Sequence, residues 1–284
     1  QRQMCIRDRY KLAETFTVGD MYYESIMSST APNRVSWFSG TINPPKGSKV
    51  NGTNKYMGGP TLDNRDSVGC ERTDSGKPFS CVPLRWKTVP EYLQEAGISW
   101  RVYQDKDNFG DDPLVMWKQY QTSAKKKGDL AQRGTSFPGL QKFFDDARDG
   151  KLPEVAYIVA PMQLSEHPPY MPMDGAWLQG EVAKAVMHGK NWDSTALIYS
   201  YDETGGWADH VVSPSPPQSE ESEWIEDPYD KSNGITPIGP GFRLPFYIVS
   251  PWTSGGHVFT EHAAHESQIM FLEQWALALS LIHI

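Results

Sequence analysis

Residues 197–211 carry the densest chemistry in the chain. An apolar run, Leu197-Ile198-Tyr199-Ser200-Tyr201, leads straight into Asp202-Glu203, then Thr204-Gly205-Gly206, then Asp209-His210. Adjacent carboxylates are hard oxygen donors suited to a divalent cation. The two glycines allow a tight turn at a strand end, where the functional residues of α/β sheets collect. An isolated Asp-Glu reads as a solvated turn, but strand, acid pair, Gly-Gly and Asp-His together read as a site. A second signal is Ser28-Ser29-Thr30-Ala31-Pro32-Asn33-Arg34, with hydroxyls at a helix start. Free N–H groups and the positive dipole end there favour phosphate and help a hydroxyl ionise. Arg34 suits phosphate oxygens or the locking of the loop. Taken alone, the segment is an ordinary Thr N-cap before proline. The third signal is Ser165-Glu166-His167-Pro168-Pro169. Two prolines stiffen a loop displaying His167, which can donate to a phosphoryl oxygen or protonate a leaving group, with Glu166 to orient it. The fourth is Gly255 to Ser267, with His257, His262 and His265. Its spacing does not meet a zinc pattern, and His265 also suits the start of a final helix.

These residues need strands and helices to present them. Apolar runs at Trp100–Tyr103, Val155–Ala160, Ala196–Tyr201 and Phe246–Val249 read as buried strands separated by helical patterns, which indicates an α/β sheet. Thr88-Val89-Pro90-Glu91 is a capping box, with a stop at Gly97. Further helices are expected ending at Gly150, over Glu181–His188, and over 265–278. Segments 41–80 and 213–240, rich in Pro, Gly, Ser and Asp, read as loop insertions, and a single domain is the simplest organisation.

Composition narrows the class. The 284 residues carry 27 Lys+Arg against 35 Asp+Glu, a net charge of −8, which argues against nucleic acid as partner. No apolar run reaches the ~18 residues of a membrane span. Aromatic residues make up 12%, which excludes disorder; they suit the core first, and also a wet–apolar boundary such as a membrane surface. Cys70 and Cys81 are read as a disulfide pair and, with the Asn51-Gly52-Thr53 sequon, point to an oxidising, extracellular compartment. The ends read differently. Met4 to Asp8 and Leu279 to Ile284 back-translate to reverse complements, like the transposon end used in sequencing-library preparation. Residues 1–9 and 279–284 are therefore expected to be artefactual extensions of a domain spanning 10–278. Without residues 1–9 the balance is 24 Lys+Arg against 34 Asp+Glu, a net charge of −10.

Taken together, Thr30-Ala31-Pro32-Asn33-Arg34, Glu166-His167-Pro168-Pro169, Tyr201-Asp202-Glu203-Thr204-Gly205-Gly206 with Asp209-His210-Val211, and Arg243-Leu244-Pro245-Phe246 with Ser250-Pro251-Trp252 resemble the phosphoesterase family of phospholipases C and acid phosphatases. The resemblance runs from about residue 11 to 278 and its wording is most like the fungal branch. It implies a three-layer α/β/α sandwich of alkaline-phosphatase type, incomplete at its N-terminus. It further implies Thr30 as a nucleophile forming a phosphothreonine, and a divalent metal ion held by Asp202 and Glu203. His167 and His210 would serve at the phosphoryl group or leaving group, and Asn33, Arg34, Glu166 and His265 would bind phosphate or substrate. The implied reaction is phospholipase C-type cleavage of a phospholipid by a secreted enzyme. An acid phosphatase acting on small phosphomonoesters, and a non-catalytic binding module or inactive fragment, are the alternatives. A sulfatase would need a Cys-x-Pro-x-Arg motif, which is absent. The family's opening acidic–Asn motif, a source of further metal ligands, is also missing, so the 284 residues are expected to bind metal poorly. The family's Asp before the last histidine is here Ala264, which leaves the orientation of His265 to another group.

Overall fold

Each of the four apolar runs becomes a strand, and the helices fall between them. The computed structural model describes residues 2–44, 58–64, 68–72, 78–218, 223–227 and 230–278. Its elements run α1 (Arg2–Thr15), β1 (Thr17–Gly19), α2 (Thr30–Ser39), β2 (Gly69–Arg72), β3 (Pro78–Val82), α3 (Val89–Glu95) and β4 (Trp100–Gln104). There follow α4 (Lys118–Lys125), α5 (Asp129–Gly134), α6 (Leu140–Asp149), β5 (Val155–Val159), α7 (Pro172–Met187) and β6 (Leu197–Ser200). The chain closes with β7 (Trp224–Glu226), β8 (Ile235–Pro237), β9 (Phe246–Val249), β10 (Val258–Phe259) and α8 (His265–Ala278).

The strands β4 and β5 pair in parallel, Trp100 opposite Val155 through Gln104 opposite Val159. A second sheet has the order β10-β1-β9-β6, in which β1 is parallel to β10 and β9 is antiparallel to both β1 and β6. Side chains alternate across the parallel pair, and that alternation creates the layers. Trp100, Val102, Val155, Tyr157 and Val159 face a core shared with Val35 and Phe38 of α2, Leu93 of α3 and Ile269 of α8. Tyr103, Ala156 and Ile158 face the other way, onto Leu140 and Phe143 of α6 and Leu178, Val182 and Val186 of α7. In β6, Leu197 and Tyr199 also turn toward α7, whereas Ile198 joins Tyr22 and Phe246. The result is the expected α/β/α arrangement. It explains why β5 reads as a continuous apolar run, since both of its faces are covered.

Helix boundaries follow local chemistry. Glu91 accepts the Thr88 N–H at 2.9 Å, half of the predicted capping box. The seventh helix extends further than its pattern suggests, starting at Pro172 rather than Glu181. Gly175 sits where a Cβ would press on the Glu166 carboxylate, so the glycine serves a close approach. The segments expected as loops contain two small hairpins, β2–β3 and β7–β8, too short to show strand alternation. The first places Cys70 opposite Cys81 in register. The Asn51 sequon and residues 279–284 lie outside the described residues.

Candidate active site

Thr30 is the first residue of α2, preceded by Ser29 in extended conformation. The helix starts here because Ala31-Pro32 supply a good former and a pre-set φ in the first turn. Thr30 is buried, and its hydroxyl has no hydrogen-bond partner among the described residues. The loop before it is fixed by Asn33, whose amide reaches back one turn. Asn33 Oδ1 accepts the Ile26 N–H (2.9 Å) and its Nδ2 donates to the carbonyls of Ile26 (2.9 Å), Ser29 (3.2 Å) and Ser28 (3.3 Å). Asn33 was read as a phosphate contact. Its whole hydrogen-bonding capacity is committed to holding residues 26–29, the segment that leads into Thr30.

One helical turn on from Thr30, Arg34 points into a group of carboxylates. Its Nε donates to Asp202 Oδ2 at 2.9 Å, its Nη1 to the Asp111 carbonyl at 2.8 Å, and its Nη2 lies 3.3 Å from Asp111 Oδ2. This geometry ties the start of α2 to the end of β6. Burial disfavours charge on Asp202, but the Arg34 guanidinium outweighs it and holds the carboxyl below its ordinary value. Glu203 goes the other way: burial, and then repulsion from Asp202, raise it, although it accepts the Gly205 N–H at 2.6 Å. Gly205 and Gly206, with φ of +63° and +83°, make the turn that a side chain would resist.

Two acids absent from the sequence reading complete this group. Glu24 is 2% exposed, with Oε1 accepting the Phe242 N–H (3.0 Å) and Oε2 buried without a partner. Burial, reinforced by Asp202 and Glu203, pushes it up to about 8. Asp111 is raised by burial, with Arg34 and His167 acting against the shift. A signal existed for each: Glu24 stands alone among Tyr22, Tyr23 and Ile26, and Asp111-Asp112 follow the strand Trp100–Gln104 as Asp202-Glu203 follow theirs. Even so, no three His, Cys, Asp or Glu side chains among the described residues gather so as to hold a metal ion. Asp202 is engaged by Arg34, and the carboxylates present do not form a complete metal centre on their own.

The histidines divide into three settings. His265 is buried between Tyr22 Oη, 2.7 Å from Nδ1, and the Asp202 carbonyl, 2.9 Å from Nε2. A carbonyl only accepts, so Nε2 carries the proton and Nδ1 accepts from Tyr22. Burial lowers its pKa and keeps the ring neutral. Tyr22 thus does the orienting expected of the missing aspartate, and His265 holds the backbone of Asp202. His167 is exposed, its Nδ1 2.8 Å from the Pro168 carbonyl and its ring against Phe109. It is near enough to act electrostatically on both Asp111 and Glu203. His210 is exposed and its ring has no hydrogen-bond partner among the described residues. The loop bearing it is pinned by Asp209, which accepts from Arg243 Nε (2.8 Å) and Nη2 (3.0 Å).

The expected Glu166–His167 pairing does not occur. Glu166 has φ +68°, so its side chain diverges from that of His167 and turns inward. There Oε1 accepts from Arg9 Nη2 (2.5 Å) and Tyr201 Oη (2.7 Å). Glu166 therefore braces β6 against α1 and α7, one layer behind Asp202.

Comparison with known proteins decides the family. The Phosphoesterase family model matches residues 3–277. This chain belongs to the phosphoesterase family. Among curated proteins, this phosphoesterase is 36% identical to a non-hemolytic phospholipase C of Pseudomonas aeruginosa over 96% of the chain and 39% of that protein. It is 33% identical to a non-hemolytic phospholipase C of Burkholderia pseudomallei, covering 93% of the chain and 39% of the relative. Phospholipase C B of Mycobacterium tuberculosis is also 33% identical, with 93% of the chain and 49% of the relative covered. The chain thus spans between two fifths and half the length of these relatives. Among solved structures, a protein of the alkaline phosphatase superfamily from Vibrio parahaemolyticus matches with TM-score 0.42 at 11% identity, over 91% of this chain and 57% of the other.

Proposed function

We propose that this phosphoesterase supplies the nucleophile and leaving-group side of a phospholipase C-type hydrolase. The observation that carries this reading is Thr30. Its unengaged hydroxyl begins α2, one helical turn from Arg34 and its carboxylate partners. In the proposed reaction Thr30 Oγ1 attacks phosphorus and gives up its proton to solvent water. The P–O bond to the glycerol oxygen breaks, and His167 or His210 protonates the departing diacylglycerol. Water then cleaves the phosphothreonine ester, releasing the phosphorylated head group and restoring Thr30. The N–H groups opening α2 and the Arg34 cation favour the negative charge of the phosphoryl oxygens.

Asp202 and Glu203 are the proposed carboxylates for a divalent cation, together with donors beyond the described residues. Such an ion would supply charge neutralisation at phosphorus. The orphaned Glu24 Oε2 and the repulsion that Glu203 and Asp202 exert on Glu24 support a cation nearby. Trp207, 65% exposed just after Gly206, suits contact with a lipid surface. A Cys70–Cys81 disulfide, consistent with their register, accompanies the proposal of a secreted protein. Among the described residues no helix is long and apolar enough to cross a membrane.

The test compares a choline phosphodiester chromogen with a simple monoester, with added divalent cations. It is run on the 284-residue chain and on the longest form its source encodes. The short chain is expected to turn over weakly and the long form well, with the diester preferred. In the long form Thr30→Ala should abolish turnover while leaving the fold intact. Unchanged turnover removes Thr30 as nucleophile, and monoester preference makes the protein a phosphatase.

A further inference from the structure

Beyond the turn at Gly205-Gly206 the chain carries His210 out on a loop that no apolar packing holds. Among the described residues, no side chain from 204 to 212 joins a buried apolar cluster, and Trp207 and Val212 are 65% and 91% exposed. What fixes the loop is polar. The Asp209 carboxylate accepts four hydrogen bonds. Its Oδ2 takes Arg243 Nε at 2.8 Å and the Arg243 N–H at 3.3 Å. Its Oδ1 takes Arg243 Nη2 at 3.0 Å and the Val211 N–H at 3.2 Å. On the far side of His210, Ser213 Oγ donates to the Gly241 carbonyl. His210 therefore lies between two anchors, both tied to the segment that leads into β9.

Arg243 is itself held in place. Its backbone bridges to Tyr23, its Nη1 donates to the Asp20 carbonyl at 3.2 Å, and the Leu244 N–H donates to the Tyr22 carbonyl at 2.8 Å. Tyr22 orients His265, and Glu24 accepts the Phe242 N–H. The clamp thus joins the exposed loop to the same short segment that serves the carboxylate side of the candidate site. A side-on guanidinium–carboxylate pair fixes direction as well as distance, which a lysine ammonium does not. The Arg243 pairing also holds Asp209 well below the usual carboxylate range, so the clamp stays charged through neutral and mildly acid pH. The clamp carries no core packing. What it restricts is the neighbouring His210, whose ring stands free, whereas His167 Nδ1 lies 2.8 Å from the Pro168 carbonyl.

We propose that Asp209 and Arg243 are a positioning pair for the leaving-group step: they hold the backbone beside His210 so that its free ring meets the oxygen departing from phosphorus. The proposal rests on the reading of His210 as the leaving-group acid. In that step the P–O bonding pair moves to the glycerol oxygen, which takes the ring proton as the bond breaks. The neutral ring then takes a proton from the water that cleaves the phosphothreonine ester. Such transfers need donor and acceptor within about 2.6–3.2 Å. An exposed loop without the clamp spends little of its time so placed, and a displacement of about 1 Å costs about 10²-fold in rate.

The experiment compares two diesters that share a head group, 4-nitrophenyl phosphocholine and dihexanoyl phosphatidylcholine, on the longest form the source encodes. Nitrophenolate leaves without a proton, whereas the glycerol alkoxide needs one. Asp209→Asn and Arg243→Gln should lower kcat on the lipid by about 10²-fold, with KM little changed, and on the nitrophenyl ester by no more than about threefold. Arg243→Lys, which keeps the charge without the fork, should fall between. In a His210→Ala background, Asp209→Asn should add no further loss. On the 284-residue chain, the His210 amide order parameter should be about 0.85 and fall below about 0.6 in Asp209→Asn. Equal losses on both diesters, or full additivity with His210→Ala, would make the pair merely structural and overturn the proposal. A His210 amide as mobile in the native chain as in the variant would overturn it too. If His210→Ala loses lipid turnover and Asp209→Asn does not, the positioning proposal fails alone. If His210→Ala keeps full lipid turnover, the reading beneath it fails as well.

Discussion

Arg34 is the structural keystone of the candidate site, and replacing it by Met tests that directly. Met keeps the length and the apolar stem but removes a cation that contacts Asp202 at 2.9 Å and Asp111 at 3.3 Å. Both carboxylates are largely buried, with side chains 23% and 8% exposed. Removing one partner of such a buried pair leaves uncompensated charge and costs about 3–5 kcal/mol. Each kcal/mol lowers Tm by roughly 2–4 °C in chains of about 150–250 residues, so at pH 7 a fall of roughly 6–20 °C is expected. The pH dependence identifies the cause. In the native protein Asp202 sits below its ordinary value, so its contribution is present above the unfolded carboxylate pKa and is lost as pH falls through its folded pKa. In Arg34→Met both carboxyls should rise, and the folded variant then binds protons more tightly than its unfolded chain. Acidification from pH 7 toward 4 should therefore narrow the gap between the two proteins. Urea melts at several pH values measure this. A loss below about 1 kcal/mol, or a gap independent of pH, would show that the pairing is not what holds α2 to β6.

Other residues give sharper, smaller tests. Burial pushes Asp112 up to about 7, so the folded state binds the extra proton and stability from this group falls as pH rises from about 4 to 7. Asp112→Asn should remove that slope, worth up to about 4 kcal/mol across the window, as read from the difference between native and variant urea midpoints. Gly175→Ala places a Cβ against Glu166, whose carboxylate is held by Arg9 and Tyr201. A loss of about 1–3 kcal/mol is expected. Adding Glu166→Ala should recover part of it in a double-mutant cycle, and strict additivity would deny the contact. In the long form, acid quenching during turnover of the diester should leave the phosphorylated head group esterified to Thr30, detected as a modified peptide by mass spectrometry. A label on any other residue would reassign the nucleophile.

Much of the scaffold was legible because its signals are local. The runs at 100–103, 155–160 and 246–249 are apolar for a reason that acts residue by residue, burial on both faces, and they appear as β4, β5 and β9. The capping box at Thr88 and the stop at Gly150 are likewise written in neighbouring residues. The two hairpins escaped because strands of three to five residues are too short to carry a periodicity, and the first half of α7 because Gly175 answers to a contact with Glu166 rather than to helix propensity. The candidate site is legible only as a set of residue types: Thr30, Arg34, Asp202, Glu203 and three histidines stand out by sequence alone.

Their partnerships were not legible, because electrostatics and hydrogen bonding act through space. Sequence suggested that Glu166 orients His167, but a left-handed backbone sends Glu166 to Arg9 and Tyr201 instead. Sequence left His265 without its usual acid, and folding brings Tyr22, 243 positions away, to its ring. Nothing local marks Glu24 as a neighbour of Asp202 and Glu203, since only the crossing of separate segments brings it near enough to feel their charges. The sequence by itself determined which chemical groups are available and which elements carry them. The tertiary structure decided which are paired and which are left unpaired. Burial, repulsion and unmet hydrogen bonds belong to the space between elements and not to any one of them.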